Sequence, residues 1–217
     1  MKTGHFFTAI LLLSLLAFPA IAAQTDPVLI DDFTVSAPTV DQGGSQTSTL
    51  TINGSTNAQR LIQTSGSGPV TAITNGDGLF RVAGDGGAFM GLSYSNFTLN
   101  GPEQNVLSLT FALTYNIDFL ELEVQSSNSP NPIGGLYSVP DVAGPQVFNI
   151  DLTTLSGYSP SFMTGVNDLT LAFGSTQPIY QMQLAKVAIV PEPSVVSLFL
   201  MGAAGLVFLA RRRQVAL

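Results

Sequence analysis

The sequence of 217 residues contains no cysteine and no tryptophan, and its one histidine is His5, near the amino terminus. The absence of cysteine excludes disulfides, thiolate nucleophiles and thiolate metal ligands. Beyond position 5 the chain has no imidazole for a catalytic triad, a zinc site or a pH switch near neutrality. An enzyme built on this chain would have to work with carboxylates alone.

Charged residues are also scarce, at 10% of the chain, whereas average proteins have about 25%. Most of the basic residues lie near the two ends, so residues 24–190 hold only three basic and thirteen acidic side chains, a formal net charge of −10. An acidic surface of this kind repels a phosphate backbone. We therefore expect no nucleic acid among the partners of this protein.

The first 23 residues have the pattern of a secretory signal peptide. Lys2 precedes a run without charge at 6–18, Pro19 ends that run, and an Ala-Ile-Ala tripeptide ends at Ala22. This pattern predicts export, with cleavage by signal peptidase after Ala22 or, as the next choice, after Ala23. The alternative is an uncleaved membrane anchor, which the short apolar run and the good cleavage site disfavour.

The carboxyl-terminal region combines three features in a fixed order. They are the Pro191-Glu192-Pro193 motif, the uncharged segment 194–210, and the cluster Arg211, Arg212 and Arg213. As a helix, the uncharged segment would be about 25 Å long, the short end of what crosses a bilayer. Because basic residues stay in the cytoplasm, the sequence predicts a single transmembrane helix with the body outside and a stub, residues 214–217, inside.

This order of features resembles the PEP-CTERM sorting signal, and the resemblance covers Val190 to Arg213. It implies that the chain is a substrate of exosortase, a membrane transpeptidase that acts at the Pro-Glu-Pro motif. Pro191, Glu192 and Pro193 would then form the recognition site, with the helix as a transient anchor and the arginines as the stop-transfer signal. The resemblance also implies a Gram-negative envelope, in which the mature domain passes to the cell surface or the extracellular polysaccharide matrix.

Between the two ends, residues 24–189 show the period-two alternation of apolar and polar residues that is typical of β-strands. In the clearest run, Val106–Tyr115, Leu113 and Tyr115 fall on the apolar face. The other predicted strands are 28–35, 47–52, 79–82, 89–94, 120–124, 147–152, 169–173 and 180–184, with Gly, Asn and Pro between them. Nine or ten short strands without a fixed repeat predict an all-β fold, an antiparallel β-sandwich.

The strand pattern also resembles a jelly-roll carbohydrate-binding module, because it has an early Asp31-Asp32-Phe33 strand, a long central strand and a late strand pair. In jelly-rolls, acids in similar places hold a structural calcium through oxygen ligands. Asp31, Asp32 and Asp168 are therefore the candidate ligands, and calcium is the one candidate cofactor. The alternative is that these acids cap turns or lie as charges on strand edges.

Sugar binding would require exposed aromatic rings with polar neighbours. The candidate rings are Tyr94, Tyr137 and Tyr158, with Asn96 or Asn131 as hydrogen-bonding neighbours. Tyr115 and Tyr180 align with apolar positions, so we expect both in the core.

Three functions remain open from the sequence. The first is a non-catalytic protein of the cell surface or matrix, and the second is a carbohydrate-binding module in the same location. The third is a secreted glycosidase that would use Glu121 and Glu123, since paired carboxylates cleave glycosidic bonds. We disfavour the glycosidase because the residues that alternate with this pair are apolar, which is typical of a solvated strand face.

Overall fold

The computed structural model describes residues 26–99, 101 and 103–191. The predicted signal peptide with its cleavage site, Glu192, Pro193, the predicted membrane helix and the three terminal arginines lie outside these residues. Within the described ranges, no helix is long and apolar enough to cross a membrane.

The described chain is built almost entirely of strands. They are β1 (Val28–Asp31), β2 (Ala37–Asp41), β3 (Ser45–Ile52), β4 (Ser55–Gly66), β5 (Val70–Thr74), β6 (Phe80–Gly84), β7 (Ala88–Ser95), β8 (Gln104–Tyr115), β9 (Phe119–Ser126), β10 (Ile133–Tyr137), β11 (Val142–Asp151), β12 (Val166–Gly174) and β13 (Tyr180–Pro191). A 3-10 turn at Leu152–Thr154 and a one-turn helix α1 at Pro160–Met163 join β11 to β12.

The strands form two sheets in which every pairing is antiparallel. The first sheet has the order β11-β8-β13-β6-β5-β2, and β1 adds to it by pairing with β13. The second has the order β10-β9-β12-β7-β4-β3. From β7 to β9, and again from β11 to β13, successive strands lie in different sheets. The predicted all-β antiparallel sandwich is therefore confirmed.

The core lies between the sheets and consists of the inward-facing residues of both. Leu107, Leu109 and Phe111 of the first sheet and Leu169 and Leu171 of the second are all buried. Such alternation buries one face of each strand and leaves the other face in solvent. The solvent-facing surfaces of the two sheets are therefore the places where polar side chains can meet a ligand.

Strand β13 is central to the first sheet and connects its two ends. Its first half pairs with β6, its second half pairs with β1, and β8 lies along its other side. The strand ends at Pro191, which is the first residue of the Pro-Glu-Pro motif. The predicted sorting motif therefore begins at the last described residue of a central strand.

Four strands were not predicted from the sequence: β2, β4, β5 and β10. Strand β4 is the most informative of these, because its inward-facing residues include Arg60 and Thr64, both of which are buried. A charged residue on the inner face hides the apolar alternation on which strand prediction depends. The predicted strand at 28–35 was too long, because Phe33 adopts a left-handed backbone with φ of 57° and β1 ends before it.

Candidate functional site

The paired end of β13 is the first candidate site, because the sorting motif begins there. Val190 pairs with Val106 of β8, and Pro191 pairs with Gln104 of the same strand. On the other side, Ile189 pairs with Val28 of β1. The side chain of Gln104 donates a hydrogen bond to the carbonyl oxygen of Asp26 at 3.2 Å. Asp26 and Pro191, the first and last described residues, are therefore both neighbours of Gln104.

The second candidate site is a groove of about 270 Å³ on the solvent-facing side of the first sheet. We call it the outer groove. It is lined by Thr71 and Ile73 of β5, Arg81 and Ala83 of β6, Leu113 of β8, and Gln181 and Gln183 of β13. Four adjacent strands thus contribute side chains that project from one sheet face.

Two rows of cross-strand neighbours organise the outer groove. In one row, Gln181 lies between Ala83 and Tyr115, and in the next row Gln183 lies between Arg81 and Leu113. Side chains opposite each other in such rows are about 5 Å apart at Cβ. Ala83 has the smallest of these side chains, so it leaves open space beside Gln181.

The side chains of the outer groove can both donate hydrogen bonds to the hydroxyl groups of a ligand and accept hydrogen bonds from them. Each glutamine amide has an acceptor oxygen and two N–H donors. The Arg81 guanidinium is oriented by two hydrogen bonds to the Asp77 carboxylate, at 2.9 and 2.7 Å. These hydrogen bonds from Arg81 hold the pKa of Asp77 below its usual value. A paired guanidinium beside two amides suits neutral polar ligands rather than anions.

Tyr115 lies beside the outer groove, opposite Gln181, and its placement corrects the sequence analysis. The ring was expected in the core, yet the residue is 51% exposed. The cause is a β-bulge: Phe111 and Leu113 pair with consecutive residues of β13, so Ala112 is an extra residue in β8. An extra residue reverses which face every later side chain occupies. Leu113 and Tyr115 therefore face outwards, not inwards.

The tyrosines proposed as sugar-stacking rings do not occupy exposed surfaces. Tyr94 is fully buried, so its assignment as a platform was wrong. Tyr137 and Tyr158 are half-buried and pack against the core. Tyr180 is buried, as expected, and burial raises the pKa of its phenol to about 12. Neither Asn96 nor Asn131 is among the residues that line the outer groove.

The three candidate calcium ligands do not form one site. Asp31 ends β1 in the first sheet, whereas Asp168 lies on β12 in the second. Asp32 bonds locally, because one of its carboxylate oxygens accepts hydrogen bonds from the amide and the hydroxyl of Thr34. Across the residues with described positions, no three acidic or histidine side chains are close enough to share a metal. Calcium binding by these residues stays a prediction from the sequence.

Asp31 is instead half of a buried ion pair between the two sheets. Its Oδ2 lies 2.9 Å from Arg60 Nη1, and both side chains are at most 2% exposed. Its Oδ1 accepts a hydrogen bond from the Phe33 amide at 2.8 Å. Burial raises the pKa of Asp31, and the Arg60 guanidinium opposes that shift. The second Arg60 nitrogen, Nη2, donates to the Val35 carbonyl at 2.7 Å.

Glu121 and Glu123 are exposed on the outer face of β9, as expected for a solvated strand face. They line a shallow groove of about 290 Å³ together with Pro132, Gly134 and Leu136. The residues opposite them on β12 are Ala172 and Thr170. Small side chains on a flat sheet face do not enclose a sugar ring between two carboxylates.

Asp168 is a half-buried acid on β12, near Glu123. Burial raises the pKa of its carboxyl, the Thr170 hydroxyl partly opposes that shift, and the negative charge of Glu123 adds to it. A folded-state pKa above the ordinary value means that the folded state holds this proton more tightly than the unfolded state does. Ionisation of Asp168 therefore costs stability as the pH rises above 3.8, and the cost is complete once the pH is above the folded-state pKa.

Asp168→Asn is accordingly expected to raise the melting temperature near pH 7 and to leave it unchanged near pH 3. Asp41→Asn, which removes an equal charge from an exposed site on β2, is the control. The measurement is thermal unfolding followed by circular dichroism at both pH values. A melting temperature that falls near pH 7 would show that the ionised Asp168 stabilises the fold, contrary to this account.

Residues 190–214 match the PEP-CTERM protein-sorting motif. A search of curated proteins found no significant match to this chain.

Among solved structures, the family 11 carbohydrate-binding module from Clostridium thermocellum, in complex with a β-1,3-1,4-mixed-linked tetrasaccharide, is similar at 12% identity and a TM-score of 0.43. The match covers 77% of this chain and 97% of that module. An exo-β-agarase is similar at 14% identity and a TM-score of 0.42, over 77% of this chain and 26% of the agarase. The structural neighbours thus include a carbohydrate-binding module and an agarase.

The segment that matches the sorting motif, residues 190–214, includes the last two described residues of β13. It contains the Pro-Glu-Pro motif and the arginine cluster in the expected order. The chain therefore carries a PEP-CTERM protein-sorting motif at residues 190–214, which marks it as an exported protein that is sorted via the membrane.

Proposed function

We propose that this protein is a non-catalytic component of the cell surface or extracellular matrix, released by an exosortase that cleaves it at the Pro-Glu-Pro motif. The observation that carries the proposal is the match of residues 190–214 to the PEP-CTERM motif. The released domain would associate with exopolysaccharide outside the cell. The absence of cysteine from the whole chain, and of histidine after His5, supports a role without catalysis.

The sorting step predicts a change of location for a motif variant. Replacing Glu192 and Pro193 together by alanine is expected to retain the full chain in the inner membrane, because the enzyme loses its recognition residues. The measurement is immunoblotting of inner-membrane, outer-membrane and matrix fractions of the native host. Glu103→Ala, which removes an exposed acid before β8 without touching the motif, is the control. An unchanged distribution of the motif variant would contradict the proposal.

A second candidate function, carbohydrate binding, is favoured by the outer groove. Gln181 and Gln183 supply hydrogen-bonding amides, and Tyr115 supplies an exposed ring with an apolar face and a polar end. Pro191 lies ten residues after Gln181 on the same strand, which is about 30 Å at the usual rise of a strand. A groove at the far end of β13 would stay accessible to a polysaccharide while the tail still held the protein at the membrane.

The charge distribution favours a neutral polysaccharide as the ligand. The described residues include three basic side chains, of which Arg60 is paired with Asp31 and Arg81 with Asp77. An excess of acidic groups repels uronate, sulfate and phosphate groups on a glycan. A neutral glycan avoids that repulsion, and its vicinal hydroxyls match the donors and acceptors of the two glutamines.

A further inference from the structure

We propose that strand β3 is an interface between two copies of this protein. The two β3 strands pair antiparallel and join the second sheets of both copies across a two-fold axis. β3 lies at the end of the second sheet, and β4 is its one neighbour among the described strands. The outer edge of a terminal strand presents main-chain N–H and C=O groups that another strand can bind.

The other edge strands of the two sheets have features that oppose such pairing. β1 is four residues long and β10 is five. β2 contains Pro38 and Asp41, and its register with β5 is interrupted. β11 contains Pro145, and its register with β8 shifts between Ala143 and Gln146. Short length, proline, charge and irregular pairing are the means by which natural proteins protect sheet edges.

Strand β3 has none of these protective features. It is eight residues long, and it contains neither a proline nor a charged residue. Its pairing with β4 is regular from Ser45 to Leu50. A long, regular and uncharged edge is a ready template for a further strand. The contrast with the other edges therefore identifies β3 as the edge that is built to be paired.

The distribution of charge favours a second copy as the partner. The domain is acidic overall, so two copies repel each other over most of their surfaces. β3 is uncharged, and so are its outward-facing neighbours on β4, Gln59, Leu61 and Gln63. The one charged residue of β4, Arg60, is buried in the ion pair with Asp31. Pairing along β3 therefore joins two acidic domains through an uncharged part of the sheet.

The side chains of β3 also match their own copies. A two-fold axis perpendicular to an antiparallel pair sets the central residue opposite itself and keeps each residue on its own face of the sheet. The exposed face of β3 consists of Ser45, Thr47, Thr49 and Thr51. This row of hydroxyls would therefore meet the same row of the second copy. Threonine and serine pairs across neighbouring strands form hydrogen bonds that stabilise a sheet.

The dimer would present two outer grooves in the same direction. The axis is perpendicular to the second sheet, so both first sheets lie on the same side of the joined sheet. Two grooves that face one polysaccharide bind it more tightly than a single groove does. This consequence rests on the proposed carbohydrate binding, whereas the dimer itself does not depend on the proposed function.

The test is sedimentation equilibrium of the full chain in mild detergent over a range of protein concentrations. A strand edge is a small interface, so we expect a dimer that dissociates on dilution. Thr47→Lys combined with Thr49→Lys places like charges opposite one another and is expected to raise the dissociation constant at least about tenfold. Thr39→Lys with Gln146→Lys, which adds the same charge to two edge strands of the first sheet, is the control.

Two results of this experiment would overturn the inference. One is a parent protein that is monomeric at every concentration. The other is an equal dissociation constant for the parent and the β3 variant, which would show that another part of the chain makes the contact. Circular dichroism of both lysine variants checks that the fold is intact.

The absence of cysteine from the chain allows a second test that adds no charge. Thr49→Cys places one thiol near the proposed axis, so a short bismaleimide is expected to link two copies of the full chain in membranes of the native host. Thr39→Cys, on the exposed edge of β2, is the matched control and should stay monomeric. Equal yields of dimer from both variants would contradict the inference. Crosslinking of Thr49→Cys to a different protein, without a dimer, would assign the edge to another partner and also overturn it.

Discussion

Arg60→Leu is expected to be the most destabilising single substitution described here, at about 3–5 kcal/mol in the free energy of unfolding. Leucine removes the guanidinium and leaves the Asp31 carboxylate buried beside an apolar side chain. It also removes the hydrogen bond to the Val35 carbonyl. Domains of this size have only about 5–15 kcal/mol of stability in total, so the variant is expected to accumulate poorly.

The measurement is urea unfolding of the full chain in mild detergent, followed by circular dichroism. The double variant Asp31→Leu with Arg60→Leu removes both charges at once, so it loses the ion pair without leaving an unpaired charge in the core. Comparing it with Arg60→Leu therefore separates the cost of the unpaired Asp31 carboxylate from the cost of the lost contact. It is expected to be clearly more stable than Arg60→Leu. Arg81→Leu, in an exposed ion pair with Asp77, is the matched control and should destabilise the fold far less than Arg60→Leu does. Similar losses for Arg60→Leu and Arg81→Leu would contradict the account.

Tyr115→Ala combined with Gln181→Ala is expected to weaken binding of a neutral polysaccharide by at least about tenfold. Contact with an aromatic ring contributes on the order of 1.5 kcal/mol or more, and each factor of ten in affinity is about 1.4 kcal/mol. Because both side chains are exposed, their removal should leave the fold intact. Thermal unfolding of the variant checks this expectation.

The measurement is affinity electrophoresis in gels that contain neutral polysaccharide purified from the native host. Gln63→Ala is the matched control, since Gln63 is an exposed glutamine on β4 of the opposite sheet. It should migrate like the parent protein. Equal retardation of the parent and the groove variant would rule out the outer groove as the binding site. Equal loss with Gln63→Ala would indicate a site on the other sheet.

The class of the fold was predictable because most strands bury one face in a regular alternation. β9 and β12, and β8 as far as Phe111, follow the pattern of their apolar residues closely. The hairpin between β3 and β4 has Asn53 and Gly54 at its turn, both with positive φ, which is the expected chemistry of a tight turn. The partner strand β4 was still missed, because Arg60 occupies an inward position in it.

The outer groove was not predictable, because a single extra residue decides which face of the sheet Leu113 and Tyr115 occupy. The alternation from Leu107 onwards places Tyr115 in the core, and the sequence has no clear sign of the bulge at Ala112. The ion pair of Asp31 was equally hidden, since its partner is 29 positions away in the other sheet. Local patterns identify strands, but contacts between sheets depend on how the strands are arranged in space.

The sorting motif, in contrast, was predictable from residue order alone, because it depends on a linear sequence rather than on packing. The structure adds that this motif begins inside the sheet, at Pro191. On the proposed function, delivery and binding would depend on opposite ends of one strand, with the motif beginning at Pro191 and the outer groove beside Gln181. This arrangement connects the two parts of the proposed function.

The most direct test of sorting is the mass of the carboxyl-terminal peptide of this protein in the inner-membrane and matrix fractions of its native host. The account predicts that matrix protein ends within or shortly after the Pro-Glu-Pro motif and lacks the segment that contains Arg211, Arg212 and Arg213. Intact chain should be confined to the inner membrane. Matrix protein with an intact end at Leu217, or a failure to find the protein outside the inner membrane, would contradict it.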